Sequence, residues 1–348
     1  MKICKCNDKS KIMSHIKIYY YGLSILKVFL AFDVINCHCF KLKSTSNKFI
    51  LYLLNSKKLH VPSFIIMSFY FSHNILTSLD SNKIYRRLER IIIPYLGWPL
   101  ISFIMTNFIY VFFKAIPLIS LKNLLYQIIL GDAPKMPLHF WFLFDLIVTT
   151  IIFEIIILTF KKNFIFILLI LMIFSYYLQY SKINYLFFNS IKQASLGKEN
   201  EFIPFAVTGF ILYELKIIDK NHKNKVKTFI IFFIIYKFIQ NYGVFAEFEG
   251  VQFSGIKLNI CSVCIIFICS LFSTRREHKY IKLIKILTNF TGGIFYIHRI
   301  VQRYFKFIVD DIKKGTFFGI ILIYLICYAI CFLGTLIVGK TQAKYLFC

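Results

Sequence analysis

The chain has 348 residues, of which 58% are hydrophobic, 19% aromatic and 17% charged. A soluble globular domain is about half apolar and about a quarter charged. This chain therefore holds more apolar surface than soluble cores can hide, which excludes a soluble enzyme and a disordered protein and directs the excess at lipid. Lysine and arginine number 42 against 16 acidic residues, a formal net charge of +26; because the basic residues punctuate apolar runs instead of forming one stripe, they read as juxtamembrane anchors and not as a nucleic-acid surface.

The expected fold is all-α, a polytopic membrane bundle of about ten transmembrane helices. Residues 1–17, MKICKCNDKSKIMSHIK, are basic and lack a clean apolar core ahead of a small-residue cleavage site, so they are expected to form a cytoplasmic lead-in. Segments 18–40, 60–79, 91–113, 138–160, 163–179, 202–219, 228–247, 257–274, 283–305 and 316–339 are the candidate spans. They show no strand-like alternation and read as helices, which satisfy their own backbone hydrogen bonds in lipid. With no internal repeat and no Pro/Gly/Ser linker, residues 18–340 are expected to be one membrane domain, followed by a short cytoplasmic tail, 341–348. With the N-terminus inside, basic residues favour the inner segments over the outer loops, which puts both termini in the cytoplasm of a multi-pass cell-membrane protein. The longer outer loops, around 41–59, 114–137 and 180–201, are placed where they cover an external site.

Ionisable groups in a span are costly and normally face the bundle interior, so each is a functional candidate. The first span reads GLSILKVFLAFDVINCHCF, with Lys27 and His38 eleven residues apart. At about 100° and about 1.5 Å per residue the two lie within about 20° of one helix face and about 16 Å apart along it. They line one passage at two depths, Lys27 toward the cytoplasm and His38 near the outer boundary. A histidine there suits a general base for an acceptor hydroxyl, since its ordinary pKa is about 6.5, and the lysine suits an anionic donor. An interfacial histidine and a snorkelling lysine give the same pattern. Asp33 points to another side of the helix, leaving a partner on a different helix open to it.

Farther along, Arg86, Arg87 and Arg90 in YRRLERIIIPYLGW are placed either to bind donor phosphates or to anchor the helix by the positive-inside rule. His139 and Trp141 open the fourth span in MPLHFWFLFDLI, with Asp145 one turn on and Glu154 deeper; they line a passage or sit at the interface. His298 and Arg299 follow two glycines in TGGIFYIHRIV, where small residues permit close helix approach. Of the ten cysteines, Cys37, Cys39, Cys261, Cys264, Cys269, Cys327 and Cys331 lie in or beside apolar runs and read as small hydrophobes. Cys261 and Cys264 have CxxC spacing but no second ligand pair, so no metal site is expected.

Taken in order, these segments resemble the acyltransferase 3 family of integral-membrane acyltransferases. Lys27 and His38 resemble its basic-x10-His pattern. VPSFIIMSFYFS (61–72) resembles a Pro-Phe-Phe-x-x-Ser-Gly-Phe segment, YRRLERIIIPYLGW (85–98) an Arg-rich loop entering Ile-x-Pro-Tyr, and LHFWFLFDLI (138–147) a His-x-Trp-Phe-Leu segment. FIPFAVTGFILYEL (202–215) and GGIFYIH (292–298) resemble a Phe-x-x-Gly-x-x-Leu and a Tyr-x-x-His segment. The resemblance implies transfer of an acetyl or other short acyl group from cytoplasmic acyl-CoA, commonly acetyl-CoA, to a hydroxyl of an extracytoplasmic or membrane-linked surface glycan. It implies His38 as base and Lys27 at the donor, where Arg90 and Arg86 are expected to add further contacts. His139, Trp141 and His298 would line the acceptor site or passage. No bound cofactor and no nucleic-acid partner are expected beside the lipid bilayer, the donor and the acceptor. Lys27 stands where the family has arginine, and Phe69 where it has glycine. A transporter or glycan flippase, or a non-catalytic family member, is the alternative.

Overall fold

The structure is a computed structural model that describes residues 19–39, 59–113, 118–131, 141–180, 199–216, 225–242, 255–274, 279–305, 309, 312, 314, 316–339 and 341–348. The expected lead-in, 1–17, His139 and most of the three outer loops lie outside the described residues. Among the described residues there are twelve α-helices: α1 (Tyr21–Cys39), α2 (His60–Thr77), α3 (Ser81–Phe113), α4 (Leu121–Leu130), α5 (Trp141–Phe160), α6 (Phe164–Tyr180), α7 (Glu199–Glu214), α8 (Lys225–Tyr242), α9 (Ile256–Ser270), α10 (Lys279–Asn289), α11 (Thr291–Phe305) and α12 (Phe317–Val338). Two short 3-10 helices, Lys161–Asn163 and Gln342–Leu346, complete them. One isolated antiparallel bridge, Tyr19 to Thr274, is the β pairing found there.

Each expected span falls on helix, but not every helix has the dimensions of a span. Among the described residues, four helical stretches are long and apolar enough to cross a membrane: Tyr21–His38, Ser81–Phe112, Trp141–Gln179 and Phe317–Val338. The third comprises α5 and α6, which pack on each other across the Lys161–Asn163 turn. The remaining apolar helices are shorter or more polar. α9, with 15 residues, reaches only about 23 Å at 1.5 Å per residue, less than a hydrocarbon core of about 30 Å.

Two expectations are corrected. The single span 283–305 is two helices, α10 and α11, separated at Phe290. Thr291 Oγ1 donates to the Thr288 carbonyl at 2.8 Å, and Gly292 and Gly293 lie against the carbonyls of Cys348 and Phe347, so this turn serves tertiary packing instead of a continuous rod. The loop expected over 114–137 contains α4, which starts on the Ser120 side chain accepting from the Asn123 amide and ends on Gly131 at φ 74°.

The distribution of polarity is that of a bundle in lipid. Asp33, His60, His73, Thr106, Gln127 and Asp145 are buried, while Phe108, Phe166, Ile173, Phe238, Leu333 and Ile337 are exposed. In water the exposed rings and branched chains would each cost burial energy, whereas lipid favours them and drives the polar groups inward to find partners.

At the centre α2 packs closely on α7. Gly209 makes that approach: a Cβ there would overlap the Ile66 carbonyl oxygen and lie 3.1 Å from Phe69 Cβ. Phe69, Phe153 and Phe210 interlock at this junction, with ring centroids 4.8 Å apart for Phe69–Phe153 and 5.2 Å for Phe153–Phe210. The final residues are packed, not free. Trp98 Nε1 donates to the Leu346 carbonyl at 2.9 Å, and the Phe347 ring meets the Trp98 ring edge-on at 5.8 Å.

Candidate active site

Helices α1 and α2 are antiparallel, since Asp33 meets His60 while Lys27, six residues earlier, meets Phe71, eleven residues later. By helix geometry Lys27 and His38 share the stripe of α1 that carries Leu23, Leu30, Ala31 and Val34. All four of these are buried, at 0–2% exposure, so the shared face is the one the bundle covers.

At one end of this stripe is His38, in the last turn of α1 and exposed. Its ring stacks on that of His298 in α11, with centroids 5.3 Å apart and planes at 25°. His298 is buried, and its Nδ1 lies 2.8 Å from the Phe295 carbonyl. A carbonyl oxygen only accepts, so Nδ1 is the donor in this contact. Arg299 Nη1 donates to Gln302 Oε1 at 2.8 Å, and Gln302 Nε2 donates to the His38 carbonyl at 3.2 Å. One face of α11 thus clasps the end of α1. Trp141 is buried against Phe202, their rings edge-on at 5.6 Å. It joins the histidine end through its neighbour Phe142, whose ring lies 4.8 Å from Phe295.

Behind His38, Asp33 and His60 form a buried contact, Oδ2 to Nδ1 at 3.0 Å with both side chains 3% exposed. The other helix open to Asp33 is therefore α2. Cys37 Sγ lies 3.8 Å from the same His60 nitrogen and is exposed. Nothing in the sequence marks His60 beyond its being a polar residue at the start of an apolar segment.

The other end is basic. Lys27 Nζ sits 5.0 Å above the Phe71 ring. Of the three arginines, the one that turns inward is Arg87. Its guanidinium donates to Ser72 Oγ, to Ser68 Oγ at 3.3 Å and to Thr150 Oγ1 at 3.4 Å, and lies 5.2 Å from the Phe69 ring centroid. Lys27 and Arg87 thus converge on residues 68–72 of α2. Arg86 is exposed, and Arg90 is exposed with its guanidinium 5.6 Å from the Tyr345 ring. Arg86 and Arg90, about 40° apart around α3, are both exposed, whereas Arg87 meets the hydroxyls supplied by α2 and α5.

Beside this basic turn lies a pair the sequence reading missed. His73 Nε2 meets Glu214 Oε1 at 2.6 Å, and the His73 ring stacks on Tyr213 at 4.3 Å and 15°. Asn74 Nδ2 donates to the Tyr213 hydroxyl. The available signal was Glu214 itself, a carboxylate in an apolar helix that requires a partner.

The chain carries two polar ends on one covered helix face, a histidine pair at one and cations at the other, about 16 Å apart by helix rise. No match to it was found among curated proteins or solved structures. The family model described as an acyltransferase domain matches residues 20–339, nearly the whole chain and all the helices that build both ends, and the protein belongs to the acyltransferase 3 family.

Proposed function

We propose that this membrane acyltransferase moves an acetyl or other short acyl group from cytoplasmic acyl-CoA to a hydroxyl of an extracytoplasmic or membrane-linked glycan. The observation that carries this reading is the separation of charge along α1. His38 stands at one end against His298, and Lys27 stands at the other where Arg87 also reaches residues 68–72. The interval of about 16 Å is comparable with an extended pantetheine arm, so phosphates held by the cations leave the thioester near the histidine.

In this scheme the chain crosses the membrane several times with both termini in the cytoplasm, and Lys27 and Arg87 bind the donor electrostatically. A lysine and an arginine whose fork is already shared among three hydroxyls replace the bidentate clamp that an arginine at position 27 would provide. Arg90 and Arg86 contribute positive potential at the donor entrance. His38 accepts the proton of the acceptor hydroxyl as its oxygen attacks the thioester carbonyl. The C–S bond then breaks, the CoA thiolate leaves, and the proton held by His38 restores the thiol. His298, stacked on His38, limits the orientations of that ring, while Trp141 and His139 belong to the acceptor side.

The test is acetyl transfer from labelled acetyl-CoA in membranes containing wild type or His38→Ala. Loss of transfer with unchanged protein level is expected. Undiminished transfer would remove His38 from the mechanism, and unchanged KM for the donor in Lys27→Ala would remove Lys27 from the donor site.

A further inference from the structure

Asp33 and Cys37 are one α-helical turn apart on α1, about 40° from each other around the axis, and both face the first residue of α2, His60. The carboxylate oxygen, the thiol sulfur and the imidazole nitrogen all lie within 4.8 Å of one another. They are oxygen, sulfur and nitrogen ligands of the types that zinc accepts together.

The spacing fits one ion. With metal–ligand lengths of about 2.0–2.3 Å and tetrahedral angles, the N···S edge is about 3.6 Å and the N···O edge about 3.4 Å. The observed separations are 3.8 Å for Cys37 Sγ to His60 Nδ1 and 3.0 Å for Asp33 Oδ2 to His60 Nδ1. Both of these edges are within about half an ångström of a tetrahedral site, and the O···S edge, at most 4.8 Å against about 3.6 Å, closes by side-chain rotation. Burial is graded in the same sense. Asp33 and His60 are enclosed, so the ion would sit on a fixed floor, and Cys37 is exposed, so a fourth, solvent-side position stays open.

We propose that Asp33, Cys37 and His60 form a tetrahedral site for a zinc-class divalent cation that ties the end of α1 to the start of α2. On binding, the Cys37 thiol loses its proton to solvent and becomes a thiolate ligand. His60 gives its Nδ1 lone pair to the metal and keeps its proton on Nε2, and the Asp33 carboxylate changes from hydrogen-bond partner to ligand. Cys37 directly precedes His38, so the ion also fixes the last turn of α1 that carries the histidine. The site stands on these three side chains alone and does not depend on the acyl-transfer reading.

The experiment uses the full chain in detergent, stripped with chelator and titrated with cobalt(II), whose thiolate charge-transfer and d–d bands report ligand identity and geometry. One cobalt per chain with a thiolate band and tetrahedral intensity is expected. Both are lost in Cys37→Ser, and affinity falls at least about tenfold in Asp33→Asn. Cys37 is exposed, and asparagine retains a hydrogen bond to His60, so both variants should elute as the wild type does. Absence of stoichiometric binding, or a thiolate band that persists in Cys37→Ser, would overturn the proposal and leave Asp33–His60 as an ordinary buried polar pair.

Discussion

Replacing Phe69 by glycine, the residue that the family resemblance places there, tests whether its ring is core or plug. The side chain is 0% exposed and is held between Phe153 at 4.8 Å and Phe210 at 6.2 Å, with the Arg87 guanidinium 5.2 Å from the ring centroid. Truncating a buried phenylalanine to alanine costs about 3–5 kcal/mol, and glycine in a helix interior costs about 1 kcal/mol more, so Phe69→Gly should destabilise the chain by about 4–6 kcal/mol. Phe69→Leu, which keeps most of the volume, should cost less than about 1.5 kcal/mol. Denaturant midpoints in micelles, read beside acyl transfer in membranes, separate the two roles. If Phe69→Gly leaves the midpoint unchanged and accelerates transfer, the ring obstructs a passage and the packing argument is refuted.

Three further outcomes follow from the geometry. Gly209→Ala drives a methyl group into the Ile66 carbonyl and should cost about 1–3 kcal/mol as α2 and α7 separate; a midpoint equal to wild type would show that the helices slide freely. Trp98→Phe keeps an aromatic ring, though a smaller one, but leaves the Leu346 carbonyl without its 2.9 Å donor. Losing about 1 kcal/mol should then raise amide hydrogen exchange over residues 341–348 about fivefold. Asp80 accepts from the Lys83 side chain and from the Asn82 and Lys83 amides at the start of α3, and the Lys83 hydrogen bond holds its carboxyl below the ordinary value. A depressed folded value means that this helix-start stabilisation is present above the unfolded carboxyl pKa and is lost as pH falls through the folded one. A carboxyl-carbon NMR titration should therefore show Asp80 titrating below the usual aspartate range, and below its position in Lys83→Ala.

Much was readable from the chain alone because it is local. The apolar excess and the run lengths placed the helices, since a segment buried in lipid must satisfy its own backbone. The common face of Lys27 and His38 followed from helix rise and rotation, which no neighbour changes. The ordered motifs from residue 20 onward marked the family, and the family model covers residues 20–339.

What surrounds each side chain was decided by contacts between distant segments. Arg86, Arg87 and Arg90 are equivalent in sequence, and Arg87 turned inward because Ser68, Ser72 and Thr150 lie on its side of α3. His38 and His298 are 260 residues apart, and nothing local to either announces their stacking. The division of 283–305 at Phe290 depends on Gly292 and Gly293 receiving the last residues of the chain. Helical periodicity says which residues share a face, whereas the neighbour that covers that face is set by close packing among helices far apart in sequence. The partners of Asp33, Arg87 and His38 therefore became visible only in the folded bundle.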